Sequence, residues 1–131
     1  MASGQFPPLS VSVSPLPVVV DESTTTVATS NASPITTATN TTMVAAAGAG
    51  NKIVVRRFHA SNSHVSQAVT IALRSDTSGA LYFATTLSPA GGSLSIPLDG
   101  AFQTVANEPL VLNTDAAGSI AWSVSYNVVA A

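Results

Sequence analysis

The sequence predicts an all-β protein, with a single β-sandwich or jelly-roll-like domain preceded by an extended N-terminal arm. Three observations lead to this prediction. Apolar and polar residues alternate along the second half, turn-forming residues recur at about the 8–12-residue spacing of small β domains, and the composition changes near residue 50. A closed barrel built from the same strands is the alternative.

The change in composition divides the chain in two. Five of the eight prolines fall at or before Pro34, whereas seven of the eight glycines fall at or after Gly48. All four Lys and Arg residues lie at or after Lys52. We therefore expect an extended Ser/Thr/Pro/Ala-rich arm over residues 1–50 and an antiparallel sandwich domain over residues 51–131.

Two segments of the domain alternate with a period of two, which is typical of half-buried antiparallel strands. In SQAVTIALRS the side chains of Val69, Ile71 and Leu73 point to one side. In GSIAWSVSYNVVAA the alternation predicts one apolar face along the whole strand. The residues of that face are Ile120, Trp122, Val124, Tyr126 and Val128.

Shorter strands and turns complete the domain. Four further stretches are rich in β-prone residues, namely NKIVVRRFHA, ALYFATT, SLSIP and LVLN. Clusters of Gly, Pro, Asn and Asp predict turns between the strands, at residues 76–79, 89–92, 99–100, 107–109 and 115–118. About six strands then fill residues 51–131.

The arm is predicted to be extended, because Thr and Val favour strands and proline excludes helix. Two β-prone clusters, SVSVS and PVVVD, are bounded by prolines that would confine them to a sheet edge. The end of the arm, AAAGAG, is expected to be a hinge. We expect the spaced apolar side chains of the arm to anchor in a neighbouring subunit, while its backbone adds to a sheet edge.

Charge and cysteine content exclude several classes of function. Charged residues are 8% of the chain, against roughly 25% in an average globular protein. A surface so poor in charge predicts association with other protein. Without cysteine there is neither a disulfide nor a thiolate zinc site. No secretory signal or transmembrane run is recognised, so no membrane partner is expected.

The arginines are not arranged as a basic stripe that could bind nucleic acid. Arg56 and Arg57 are adjacent, so in a regular strand they would face opposite sides. The arm has no Lys or Arg at all, so no nucleic-acid partner is expected. Arg56, Arg57 and Arg74 are instead candidates for salt bridges between subunits.

No constellation with catalytic spacing is present. His59, His64 and Asp76 could together form a metal set, but nothing in their spacing places them on one face. A calcium site around Asp76 or Asp115 would need an acidic cluster with loop spacing, and the sequence has none there. There is no G-x-S-x-G elbow and no cysteine nucleophile, and no carboxylate pair stands out. We therefore expect no enzyme, no catalytic residue, no cofactor and no metal.

The second half carries a resemblance. The segments AVTIALRSDTSGALYFATTLSPAGGSLSIPL and EPLVLNTDAAGSIAWSVSYNVVAA resemble small β-sandwich proteins of tailed-bacteriophage virions, and capsid decoration (cement) proteins above all. The resemblance covers about residues 51–131 and carries no catalytic residue. It implies a homotrimer that binds the major capsid protein through its arm and sheet edges, stabilising the shell from the outer capsid surface.

Two alternatives remain at this point. A tail-fibre or receptor-binding domain would recognise a host-surface glycan through exposed aromatic residues. Tyr82 and Phe102 are the candidates, because Trp122 and Tyr126 share the predicted core face. A pilus-like subunit would instead donate its arm as a strand to the next copy.

Overall fold

The computed structural model describes residues 25–30 and 33–131, and within these ranges it contains eight β-strands and no helix. The strands are β1 Thr26–Thr29, β2 Thr39–Val44, β3 Asn51–Asn62, β4 Val69–Ser75, β5 Leu81–Leu87, β6 Gly92–Gln103, β7 Leu110–Thr114 and β8 Ile120–Ala130. The six strands predicted in the second half correspond to β3–β8, so the all-β prediction is confirmed.

The strands form two antiparallel four-stranded sheets. Sheet A has the order β1-β8-β3-β6, and sheet B has the order β2-β7-β4-β5. The first strand pairs with the last, β2 with β7, β3 with β6, and β4 with β5. This nested pairing is that of one long hairpin rolled into two facing sheets, which is a jelly roll rather than a closed barrel.

Two of the eight strands come from residues 1–50, the segment expected to be an arm. β1 pairs with β8, and β2 pairs with β7. Met43 and Val44 of β2 are buried. The sandwich therefore starts before residue 51, because β7 and β8 need partners along edges that would otherwise stay open. The clusters SVSVS and PVVVD lie outside the described residues.

The expected hinge at AAAGAG is a tight connection between the two sheets. Gly48 and Gly50 have positive φ angles of 98° and 79°, which glycine adopts without strain. The amide of Asn51 donates a 3.1 Å hydrogen bond to the carbonyl of Gly48. The turn therefore passes the chain directly from β2 in sheet B to β3 in sheet A.

The core lies between the two sheets and follows the predicted alternation. Val69, Ile71 and Leu73 of β4 are fully buried, as are Phe58 and Ile53 of β3. The cluster is aliphatic with few aromatic members, so no single side chain dominates its burial.

The alternation of β8 is confirmed over its first half and wrong at its end. Ile120, Trp122 and Val124 are buried, but Val128 is 48% exposed. β1 begins at Thr26, opposite Tyr126, so no described strand pairs with residue 128 on that side of β8. Without that neighbour, Val128 remains in contact with solvent.

The predicted turns are confirmed, and one of them lies inside a strand. Asp99 and Gly100 have φ angles of 46° and 85°, the left-handed values that a tight hairpin turn requires. They interrupt β6, whose pairing with β3 jumps from Pro97 to Phe102. The regular pairing of β6 with β3 is therefore interrupted between Pro97 and Phe102, where β6 bends away from β3.

Candidate interaction surfaces

The residues considered for a metal site are far apart. His59 lies in β3, opposite Ser123 and Ser95 of the neighbouring strands. His64 lies in the loop before β4, where its Nδ1 accepts hydrogen bonds from the backbone amides of Ser66 and Gln67, at 3.1 and 2.9 Å. Asp76 follows the opposite end of β4, which spans roughly 20 Å at about 3.3 Å per residue.

The part of the chain that the structure describes contains no cluster of three or more His, Asp or Glu side chains able to hold a metal. No pocket is present in that part either. No described helix has the length and apolarity needed to cross a bilayer. The candidate sites are therefore surfaces.

The two glycan candidates pack on each other. The rings of Tyr82 and Phe102 stack with centroids 4.9 Å apart and an interplanar angle of 14°. Phe83 stacks on Phe102 at 5.7 Å and meets the buried Phe58 edge-on at 6.0 Å. The Tyr82 hydroxyl donates to the carbonyl of Gln103. These rings close the side of the sandwich between β5 and β6, so they are already engaged within the fold.

Tyr82 also borders a small polar network. Burial raises the pKa of the Tyr82 phenol, and the Glu108 carboxylate raises it further, whereas a hydrogen bond with Ser75 acts in the opposite direction. Ser75 is fully buried, and its hydroxyl donates to Glu108 Oε1 at 2.7 Å. The same hydroxyl accepts from the amide of Val105 at 3.0 Å.

The outer face of sheet A is broad and made of short side chains. Because the sheet is antiparallel, residues opposite each other form rows that cross neighbouring strands. One row joins Val27, Ser125, Arg57 and Pro97, and the next joins Thr29, Ser123, His59 and Ser95. A third row consists of Ala121, Ser61 and Ser93. We call these three rows the sheet A face.

The sheet A face carries positive charge because β3 is bulged. The pairing of β3 shifts between Val55 and Arg57, so that Arg56 is an extra residue. Val55 and Phe58 on either side are both fully buried. The prediction that Arg56 and Arg57 face opposite sides is therefore wrong: the bulge keeps both side chains out of the core.

Arg56 is fixed on this side of the sheet by a buried polar partner. Its Nε donates to Oδ1 of Asn127 at 2.5 Å, and Nδ2 of Asn127 donates to Thr25 Oγ1 at 3.3 Å. Asn127 is only 2% exposed. In the sequence it looked like one more outward polar residue of β8, and only the cross-strand arrangement reveals its role.

The loops at one end of the sandwich carry negative charge. Asp76 in the turn after β4 donates its amide to the carbonyl of Pro109 at 2.8 Å, which holds the β4–β5 turn against the β6–β7 loop. Glu108 and the 54% exposed Val105 belong to that loop. We call Asp76, Val105 and Glu108 the acidic end.

The opposite end is organised by a buried amide. Asn62 is fully buried, and its Nδ2 donates to the carbonyls of Gln67 at 2.7 Å and Leu87 at 3.3 Å. Its Oδ1 accepts from the amides of His64 at 3.1 Å and Ser119 at 3.4 Å. One side chain thus ties the β3–β4 and β7–β8 loops to the end of β5. Nothing in the sequence around Asn62 indicates this role.

Comparisons with known proteins find two solved structures of low similarity. No protein-family profile matches the chain, and no curated protein does so. A chain of the virus-like particle of the giant freshwater prawn Macrobrachium rosenbergii extra small virus is similar, with a TM-score of 0.46 and 11% identity, covering 98% of this chain and 92% of that one.

A chain of the disulfide-linked pili of Bacillus endospore appendages is similar with a TM-score of 0.33 and 14% identity, covering 89% of this chain and 98% of that one. Both TM-scores and both identities are low, so neither likeness carries an argument about function.

Proposed function

We propose that this chain is a non-enzymatic structural subunit of a virion. The observation that carries the proposal is a jelly roll whose sheet A face is a wide area of short, mostly uncharged side chains. Jelly rolls recur in viral capsids and in lectins, and fold alone does not decide between them. Short side chains lose little conformational entropy on burial, so such a face suits contact with another protein.

The more specific proposal is a capsid decoration (cement) protein on the outer surface of the shell. Residues 1–50 contain no Lys or Arg, whereas a segment that faces a packaged genome needs positive charge. This favours the outer surface. The proposed partners are further copies of the chain, as a homotrimer, and the major capsid protein, bound through the N-terminal segment and the sheet edges.

Stabilisation by such a protein would be passive. Each subunit would bridge neighbouring capsid subunits by burying surface and pairing backbone groups, and a stable contact of this kind buries about 800 Å² per partner. The shell would then need more heat or more osmotic stress to open. No reacting group is required, in keeping with the proposal of a non-enzymatic role.

The test is binding of the purified chain to virus particles from the source of its gene, followed by sedimentation and electron microscopy. We expect saturable density at fixed positions on the outer surface. A truncation that removes residues 1–24 leaves all eight strands intact, whereas one that removes residues 1–46 would delete β1 and β2. The shorter truncation is therefore the one that tests the N-terminal segment, and we expect it to bind less.

Two results would contradict the proposal. Purified chain that never sediments with particles would exclude decoration. Glycan binding that disappears in Tyr82→Ala, in a protein without affinity for particles, would establish the receptor-binding alternative. Leu81→Ala, at an exposed neighbour of Tyr82 on β5, is the matched control for that substitution.

A further inference from the structure

We propose that copies of this chain associate through two different surfaces, with the sheet A face of one copy receiving the acidic end of the next. The inference deepens the proposed function, and it rests on the part of that function in which copies associate with each other. Its test uses the purified chain alone, so its failure can be distinguished from failure to bind a particle.

The receiving surface is positively charged although the chain has a net charge of -2. Three of the four basic residues, Lys52, Arg56 and Arg57, lie on the single strand β3. Arg57 is exposed in the middle of the sheet A face, in the same row as the 63% exposed Val27. Among the described acidic residues, only Asp99 belongs to a strand of sheet A.

The acidic end has the complementary character. Asp76 and Glu108 are held side by side through Ser75 and Pro109, and the exposed Val105 lies in the same loop. Arg74 lies two residues before Asp76, and its Nη1 donates to the carbonyl of Gly79 at 3.1 Å. Each surface thus has an exposed valine and a charged side chain, and the charges of the two surfaces have opposite signs.

One copy cannot bring its own acidic end to Arg57. The amide of Asn107 donates to the carbonyl of Asn51 at 2.8 Å, which places the acidic end beside the start of β3. Arg57 lies six residues further along β3, roughly 20 Å away at about 3.3 Å per residue. No ion pair is present within residues 25–30 and 33–131.

The opposite charges of the two surfaces also determine the symmetry of the proposed assembly. Two sheet A faces stacked on each other would bring Arg57 of one copy towards Arg57 of the other, which is unfavourable. A contact between two different surfaces is heterologous, and it closes into a ring when the rotation between copies allows closure. A ring of three copies agrees with the expected homotrimer.

The experiment is analytical ultracentrifugation of the full chain and its variants over a range of concentrations. Arg57→Glu places a carboxylate against the acidic end, and we expect at least a tenfold rise in the dissociation constant, on the order of the cost of like charges at a contact. The charge swap Arg57→Glu with Asp76→Lys is expected to restore association to within about threefold of the natural chain. Asp76→Asn, which suits the left-handed backbone at that position, should weaken association less.

Ala84→Glu is the matched control, since Ala84 is exposed on β5 of sheet B and lies outside both surfaces. Its dissociation constant should stay within about threefold of that of the natural chain, because a charge outside the contact has little effect on affinity. Circular dichroism of each variant verifies the fold. A natural chain that is monomeric at every concentration overturns the proposal, as does a charge swap that fails to restore association. The proposal would also be overturned if Glu22→Lys, and not Asp76→Lys, restored association of the Arg57→Glu variant. That result would show that the N-terminal segment is what covers Arg57.

Discussion

Arg56 Nε donates a 2.5 Å hydrogen bond to Oδ1 of Asn127, joining the bulge of β3 to the adjacent strand β8 on the outer side of sheet A. The bond compensates for the extra residue that the bulge inserts. It also holds the positive charge of Arg56 in a set position on the outer side of the sheet, next to Arg57.

Asn127→Ala should destabilise the fold by about 1–3 kcal/mol, because it leaves the partly buried guanidinium without its acceptor. Urea denaturation measures the change. Asn113→Ala is the control, since Asn113 bonds Asn40 in an exposed pair at 2.9 Å and should cost no more than about 0.5 kcal/mol. Equal losses in the two variants would show that the Arg56 bond has no special role.

Asn62→Ala should be among the most destabilising single changes outside the apolar core. It removes a buried side chain that makes four hydrogen bonds to backbone groups of two loops and of the end of β5. Leaving several such groups unsatisfied costs about 3 kcal/mol or more. Ser61→Ala, one residue earlier on the outer face, should change the unfolding free energy by less than about 0.5 kcal/mol. A loss below about 1 kcal/mol for Asn62→Ala would contradict the role assigned to this amide.

Gly118→Ala should cost about 1–3 kcal/mol by overpacking. A methyl group at Gly118 would lie 2.2 Å from Cγ2 of the fully buried Val69. The double variant Gly118→Ala, Val69→Ala provides space for that methyl, so its loss should be smaller than the sum of the two single losses by about 1 kcal/mol. Strict additivity in thermal unfolding would show that the clash is relieved elsewhere.

The stability of the protein should fall above about pH 10, the ordinary pKa of a tyrosine phenol. Burial raises the pKa of Tyr82 in the folded state, so the folded protein retains a proton that the unfolded chain has released. The contribution of Tyr82 to the free energy of unfolding is therefore fully present below about pH 10. It is lost as the pH rises through the pKa of Tyr82 in the folded state. Tyr82→Phe should flatten this decline in denaturation midpoints. An unchanged slope would show that other groups cause it.

Much of the fold was predictable because it depends on alternation and turn chemistry. Val69, Ile71 and Leu73 repeat with the period of a strand, and Asp99-Gly100 is a turn in any context. The positions of β1 and β2 were not predictable, since an uncharged Thr-rich segment suits an edge strand as well as an arm. Only the partners of Thr26–Thr29 and Thr39–Val44 in the final sheets distinguish the two.

The charged side of sheet A was missed for a related reason. A strand of regular period places Arg56 and Arg57 on opposite sides, and nothing in NKIVVRRFHA marks the bulge. The bulge follows from the pairing of β3 with two neighbours at once. The partners of Arg57 in that pairing, Pro97 and Ser125, are 40 and 68 positions away along the chain. Long-range register therefore governs the surface on which the proposed contacts depend.

The most direct test of the central claim is electron microscopy of virus particles incubated with the purified chain, together with the temperature at which the shells open. The proposed function predicts ordered density on the outer capsid surface and a higher opening temperature in its presence. Particles that remain bare and open at an unchanged temperature would contradict it, as would closed shells formed by the chain alone.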